Sequence, residues 1–236
     1  VSFSDITNIK RLKENLIIKD KMQALGEMAA SIAHEIKNPL TSIKAFIELI
    51  PDKYDNQEFR EQVFKYVPSE IQRLSNLLNN LLDYSKPCKN TKELFDVSRL
   101  FDEVLILFSN QFKKYRIKLN PVLEKGLYVY ADRQQFKQII INIMLNAVES
   151  MDLGGELTIS GKSSGSHVII AISDTGHGIP PEDLKKIFEP FFTRKKYGTG
   201  LGLSIAYQFV KENNGNIEIR SIEGQGTEVI LKFPLV

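Results

Sequence analysis

Cysteine is all but missing from this 236-residue chain: Cys88 stands alone, so no intrachain disulfide can form and cysteine-rich zinc sites are excluded. Histidine is scarce too, and His34, His167 and His177 are too scattered to suggest a histidine-cluster metal centre. No charge of one sign dominates. A net charge of +2 and a pI near 8.5 give no electrostatic case for nucleic acid or an anionic membrane as partner. No apolar run approaches the roughly 20 residues of a membrane span, and the N-terminus lacks a signal-peptide pattern. With 42% hydrophobic and 25% charged residues the chain has a globular composition, with room for one large domain or two small ones. It is expected to be soluble and cytoplasmic. Because it opens on Val1 without Met, it is also expected to be a piece of something longer.

What is present is periodicity. Met22, Leu25, Ala29, Ile32, Ile36, Ile43, Phe46 and Ile50 recur at three- and four-residue steps, interrupted only where Pro39 takes a seam position. This predicts a coiled-coil-like helix continuing to about Leu49. With Ala29 and Ile36 at a and Ile32 at d, His34 falls at f and faces solvent. Asn38 and Thr41 follow four and seven residues later on the same face, and Glu35 lies about 100° round the helix. Residues 51–56 read as a turn. A second helix from about Glu58 to Ser85 carries Val67, Ile71, Leu74, Leu78 and Leu81 at the same spacing. Two helices cannot enclose that much seam, so the hairpin is expected to dimerise into a four-helix bundle. Pro39 should bend the first helix just beyond His34, and Pro68 interrupts the second.

Residues 86–91 read as a short polar linker, after which the pattern changes. A helix is expected from Ser98 to about Lys113, then strand-like runs at 117–119 and 127–129. A helix follows from Asp132, whose carboxylate can cap it, to about Met151. Strands at 156–162 and 167–174, a helix from Gly202 to about Asn213, and strands at 216–221 and 227–234 complete the chain. The alternation predicts an α/β sandwich, a mixed sheet with helices on one face.

Several segments of this second domain suit one nucleotide. Asn142 and Asn146 share a helix face among isoleucines, and their amide oxygens suit Mg²⁺ alongside phosphates. In Asp174-Thr175-Gly176-His177-Gly178 a carboxylate at a strand end can accept from the exocyclic amine of adenine, while the glycines let the backbone approach the base. Gly198-Thr199-Gly200-Leu201-Gly202 precedes a helix, so free N–H groups and the helix N-terminus favour an anion. It has neither the Lys-Ser/Thr ending of a P-loop nor the dinucleotide spacing. Lys195 and Lys196 can offset triphosphate charge. The aromatic run 188–192 reads as the anchor of a mobile lid between the glycine segments.

In this order the motifs resemble the transmitter region of a two-component sensor histidine kinase. Residues 34–40 match the H box, 142–146 the N box, 174–178 the G1 box, 188–192 the F box and 198–202 the G2 box, and 224–227 resemble the final glycine motif. More narrowly, the chain resembles sporulation kinases of the Bacillus type. The resemblance implies a histidine-kinase dimerisation and phosphotransfer domain over 21–87 and an ATP-binding sandwich of the Bergerat type over 88–236. Residues 1–20 resemble the exit of a PAS sensor domain. Arg194 departs from the family, where threonine is frequent.

By that resemblance ATP with Mg²⁺ binds through Asn142, Asn146, Asp174, Gly176, Gly178, Lys195, Gly198, Thr199, Gly200, Leu201 and Gly202, with Asn146 as the metal ligand. The γ-phosphoryl group passes to His34, Glu35 acts as base or orienting acceptor, and Asn38 serves a phosphatase reaction. The implied partners are a second copy of the chain, the receiver domain of a separate response regulator, and an inhibitory protein docking on the bundle. Two rivals from other classes are a gyrase-type ATP hydrolase, which carries a glutamate near Asn142 to activate water, and a non-catalytic nucleotide-sensing scaffold.

Overall fold

The computed structural model describes residue 26 and residues 29–85, 91–152, 154–195 and 198–235. The expected PAS exit at 1–20, the seam residues Met22 and Leu25, the linker residues 86–90 and Lys196 lie outside the described residues. The chain divides into a helical unit of residues 1–89, with which residues 194–199 group, and an α/β unit of residues 90–193 and 200–236.

The helical unit is a hairpin of α1 (Ala29–Lys53) and α2 (Gln57–Ser85). Along α1 the residues withdrawn from solvent include Ile32, Ile36, Pro39, Ile43, Phe46 and Ile50, while His34, Asn38 and Thr41 are exposed. Pro51 does not end this helix, contrary to expectation; α1 runs through both Pro39 and Pro51 to Lys53. Proline already has a helical φ and lacks only a donor, so it is tolerated where packing holds the turn. The stop comes from Asn56 instead. Its N–H donates to the Lys53 carbonyl at 3.1 Å, and its Oδ1 accepts from the Phe59 N–H at 3.0 Å, opening α2.

On α2 the covered residues are Phe59, Arg60, Val63, Val67, Glu70, Arg73, Leu74, Leu77 and Leu81. Ile71 and Leu78, expected in that seam, are instead 52% and 50% exposed. They line up at heptad spacing with exposed Phe64, and Leu40 and Ile47 form a matching bare row on α1. Each helix thus carries two apolar rows, one used within the hairpin and one left uncovered.

The α/β unit contains β1 (Lys92–Asp96), α3 (Val97–Lys114), β2 (Ile117–Leu123), β3 (Tyr128–Asp132), α4 (Arg133–Glu149), β4 (Gly155–Ser164), β5 (His167–Asp174), α5 (Gly202–Glu212), β6 (Asn216–Ile222) and β7 (Gly226–Pro234). Five strands form a sheet in the order β2-β4-β5-β7-β6, parallel between β2 and β4 and antiparallel elsewhere. β1 was not expected. It pairs antiparallel with β3 as a separate ribbon, Phe95 opposite Val129. Alternation puts Leu157, Ile159, Val168, Ile170, Ile172, Leu231 and Phe233 on one face, all buried, and the helices cover that face.

Asp132 caps α4 as expected, accepting from the Gln134 and Gln135 N–H groups at 3.0 Å. Its own N–H donates to Asn213 Oδ1 at 2.8 Å, and Asn213 Nδ2 donates to Gln135 Oε1 at 2.7 Å. Buried Asn213 therefore ties the end of α5 to the start of α4, the two helices that frame the candidate nucleotide site.

Candidate nucleotide and phosphoacceptor sites

Residues 168, 170, 172 and 174 share one side of β5, and the first three are core. Asp174 is therefore drawn under the same cover at the strand's end. There its Oδ1 accepts from the Ser150 hydroxyl at 3.0 Å and the Gly176 N–H at 2.9 Å. Burial pushes this carboxyl above its ordinary value of 3.8; hydrogen bonds from Gly176, Ser150 and Thr227 and the nearby His177 oppose the rise without cancelling it. The neighbouring glycines leave no room for side chains. A Cβ on Gly176 would lie 2.1 Å from Ser150 Oγ, and one on Gly226 would lie 2.0 Å from the Asp174 carbonyl oxygen. A carboxylate held from within, beneath bare backbone, fits the amine edge of a planar base.

A second arm comes from α4 and α5. Asn142 is buried, its Nδ2 donates to the Gly202 carbonyl at 3.0 Å, and its Oδ1 accepts from Gln138 Nε2 at 3.2 Å. Both ends of the amide are thus engaged, and Asn142 pins the start of α5 against α4. Asn146 lies one turn further along α4 and is partly exposed. Leu201, buried at 1% exposure, is the N-cap residue of α5 and supplies no side-chain cap. An anion can meet the amides of that first turn.

Gly200 has φ +65° and its carbonyl accepts from the Phe191 N–H at 3.0 Å; a Cβ there would lie 2.4 Å from the Phe191 carbonyl carbon. Phe191 itself holds φ +64°, an uncommon conformation for an aromatic residue. The aromatic run is thus tied to the glycine loop at one backbone bond, and Phe188 packs on Tyr207 of α5 with ring centroids 4.9 Å apart. Lys195, Gly198 and Thr199 lie on the segment leading into Gly200, where the Gly198 N–H donates to the Lys195 carbonyl at 3.2 Å. Gly178 packs against the Ile222 carbonyl. His177 is exposed, with Nδ1 2.7 Å from the Gly178 carbonyl oxygen.

In the helical unit, His34 and Asn38 are exposed on α1 and Glu35 is partly covered. Glu35 Oε2 accepts from Arg73 Nη2 of α2 at 2.8 Å. Sequence reasoning missed Arg73, Ser150 and Gln138. A charged helical residue reads as solvent face, and nothing local tells that Ser150 meets Asp174 across 24 residues.

A half-buried carboxylate among close-packed glycines, beside a glycine loop that opens onto a helix with no side-chain cap, is an arrangement suited to a nucleotide. The hairpin, for its part, displays a histidine on its exposed face. The comparisons agree. The family model for the His Kinase A (phospho-acceptor) domain matches residues 24–87, and that for the Histidine kinase-, DNA gyrase B-, and HSP90-like ATPase matches residues 131–236. Sporulation kinase C of Bacillus subtilis (strain 168) is 35% identical over 99% of this chain and 56% of its own length. Histidine kinase ThkA in complex with response regulator protein TrrA is similar at TM-score 0.83 and 31% identity, over 96% of this chain and 66% of that one. The catalytic domain of ThkA alone is 34% identical at TM-score 0.56, over 61% of this chain and 95% of that one. The chain belongs to the sensor histidine kinases of two-component systems and is a transmitter region of that family. It spans about half the length, or less, of the curated relatives it matches.

Proposed function

We propose that this chain is an ATP-dependent protein histidine kinase that phosphorylates its own His34 and hands the phosphoryl group to an aspartate on the receiver domain of a separate response regulator. One observation carries the reading. His34 stands exposed on α1 beside Glu35, in a chain whose other unit holds a half-buried Asp174 among tightly packed glycines. A gyrase-type hydrolase would need neither the displayed histidine nor an amide at position 142.

ATP is the substrate. Its adenine amine donates to Asp174 with Gly176 and Gly178 beside the ring, and its phosphates meet the 198–202 amides, Thr199 and Lys195. Among the described residues no three His, Cys, Asp or Glu side chains converge as a metal site. Partly exposed Asn146 would hold a magnesium ion that arrives with the phosphates, and the ion would supply charge neutralisation on the departing diphosphate. Asn142 positions the glycine loop. At His34 a neutral imidazole presents one nitrogen lone pair. As the N–P bond forms, the bond from the γ-phosphorus to ADP breaks, and the proton on the other ring nitrogen passes to Glu35.

The bare rows of Leu40 and Ile47, and of Phe64, Ile71 and Leu78, support dimerisation of the hairpin into a four-helix bundle. Leaving such side chains in water costs about 1.5–3 kcal/mol each. The receiver docks on that bundle near His34, a mode in keeping with a relative crystallised with its regulator. An inhibitory protein docking on the bundle would compete for the same surface, and all of this takes place in the cytoplasm. Asn38, exposed one turn beyond His34, favours a second activity at the same face, orienting water to hydrolyse the regulator's acyl phosphate. Incubation with γ-labelled ATP tests the main reading. Label that is acid-labile and alkali-stable and resides on His34 supports it, and no label, or label on a hydroxyl, overturns it.

A further inference from the structure

Between Val63 and Leu81 the covered residues of α2 are apolar except at Glu70 and Arg73. Charges in a helical seam are costly. They give up hydration and recover it only through good partners, so apolar residues of similar size usually serve stability as well or better. Arg73 is 17% exposed, and its Nη2 donates across the hairpin at 2.8 Å to Oε2 of Glu35, the residue adjoining His34 and 38 positions away in sequence. Behind it, Glu70 Oε2 lies 3.8 Å from Arg73 Nη1 and is buried with no hydrogen-bond partner of its own among the described residues. The guanidinium is thus flanked by a carboxylate on its own helix and a carboxylate on the other. Its planar, multi-donor head suits that role better than an ammonium.

From this geometry we infer that Arg73 is a positioning residue for the phosphoacceptor site, acting through Glu35. The inference rests on the reading of Glu35 given above. The Arg73 bond engages Oε2, so it sets the carboxylate's orientation while Oε1 keeps lone pairs for the imidazole proton released as the N–P bond forms. Glu70 supplies the fixed charge that holds the guanidinium in place when Glu35 becomes neutral on taking that proton. A merely structural ion pair would matter for hairpin stability and register and would be replaceable by an apolar residue.

Arg73→Met separates the two, because it keeps the seam filled and removes the donor. In the full chain, Arg73→Met should retain dimerisation by sedimentation, at a lowered melting temperature because Glu70 loses its guanidinium. Its turnover number for autophosphorylation should fall about 10- to 100-fold, as small misplacements of a catalytic group do, with the KM for ATP unchanged. Arg73→Lys should recover part of the rate. On a Glu35→Gln background, Arg73→Met should cost nothing further, since the group it positions is already disabled. A parental rate for Arg73→Met overturns the inference, as does a loss that multiplies undiminished on the Glu35→Gln background. If Arg73→Met fails to dimerise, the Lys variant decides: a parental rate with Lys supports positioning, and a rate no better than that of Arg73→Gln overturns it. A parental rate for Glu35→Gln alone instead overturns the assigned role of Glu35, so failure of that reading is seen separately.

Discussion

The two units solve the same problem in opposite ways. The α/β unit closes its own core. Phe101, Phe136 and Phe233 are fully buried, with Phe136 packed between Phe95 and Phe233 at centroid distances of 5.2 and 5.0 Å. Among the described residues the hairpin buries only Phe59 and Leu77 of its large apolar side chains, and it leaves Leu40, Ile47, Phe64, Ile71, Leu78 and Leu82 at least half exposed. A site that must hold a base and a triphosphate in fixed geometry sits on the self-sufficient unit. On the proposed reading, the histidine that meets a nucleotide and then a separate protein sits on the unit that a second copy would complete. The stability of the first is a property of one chain, and that of the second depends on concentration.

The sharpest division between the units is chemical. His34→Gln should abolish autophosphorylation while leaving ATP affinity within about twofold, because the side chain lies on α1 and none of the proposed nucleotide contacts is on the hairpin helices. Label retained in His34→Gln and found on His177 would place the acceptor on the wrong unit and undo the division. Next in size is an all-or-none difference in assembly. A fragment of residues 1–90 should sediment as a dimer at micromolar concentration. A fragment of residues 91–236 should sediment as a monomer that still binds ATP. A monomeric 1–90 would mean that the bare rows are not an interface.

The comparison can also be pressed inside the α/β unit. Asp174→Asn keeps an oxygen for the Ser150 hydroxyl and the Gly176 N–H but removes the charge that meets the adenine amine. A hydrogen bond to a charged group is worth about 1.5–3 kcal/mol. Calorimetry should therefore find ATP binding weakened roughly 10- to 100-fold, with the fold intact by circular dichroism. Parental affinity would remove Asp174 from the base-recognition site.

How much was legible in sequence follows from the range over which each signal acts. The Asp132 cap, the α5 start and the strands β4 to β7 are local or periodic, and they lie where pattern places them. β1 was hidden because five residues with two adjacent apolar positions make no alternation, and its pairing with β3 spans more than thirty residues. On α2 the periodicity was real but ambiguous. Ile71 and Leu78 belong to one row and Leu77 to another, and a three-four pattern cannot say which row faces the hairpin's own partner. Pro51 misled because its missing donor was read without the Asn56 cap that sets the boundary. In the candidate site the glycines and the carboxylate were visible as types. The residues that hold them, Ser150 for Asp174 and Gln138 for Asn142, owe their roles to contacts made only after folding.

The smallest effect concerns what Asp174 does to stability before any nucleotide binds. Burial raises its folded-state pKa above the ordinary 3.8 that the unfolded chain retains. Between those two values the folded form holds more protons than the unfolded one. Stability therefore falls as pH rises through that interval and levels off above the folded-state pKa, with no contribution below 3.8. Glu156, held down by Lys118 and Asn120, and Glu218, held down by Arg220, act in the reverse sense, losing stability as pH drops below the ordinary carboxylate value of 4.5. Both lie at the surface, where such pairs are worth little. The difference between Asp174→Asn and the parent isolates this half-buried group. Measured by urea unfolding of the 91–236 fragment without nucleotide, the Asn variant should gain relative stability as pH rises from below 3.8 and keep that gain at neutrality. Added ATP should reverse the order, because only the parent offers a charge to the adenine amine. Superimposable pH profiles for the two proteins would mean that the carboxylate is solvated as fully as an exposed one, and the contrast between a ready-made site and an unfinished hairpin would lose its thermodynamic signature.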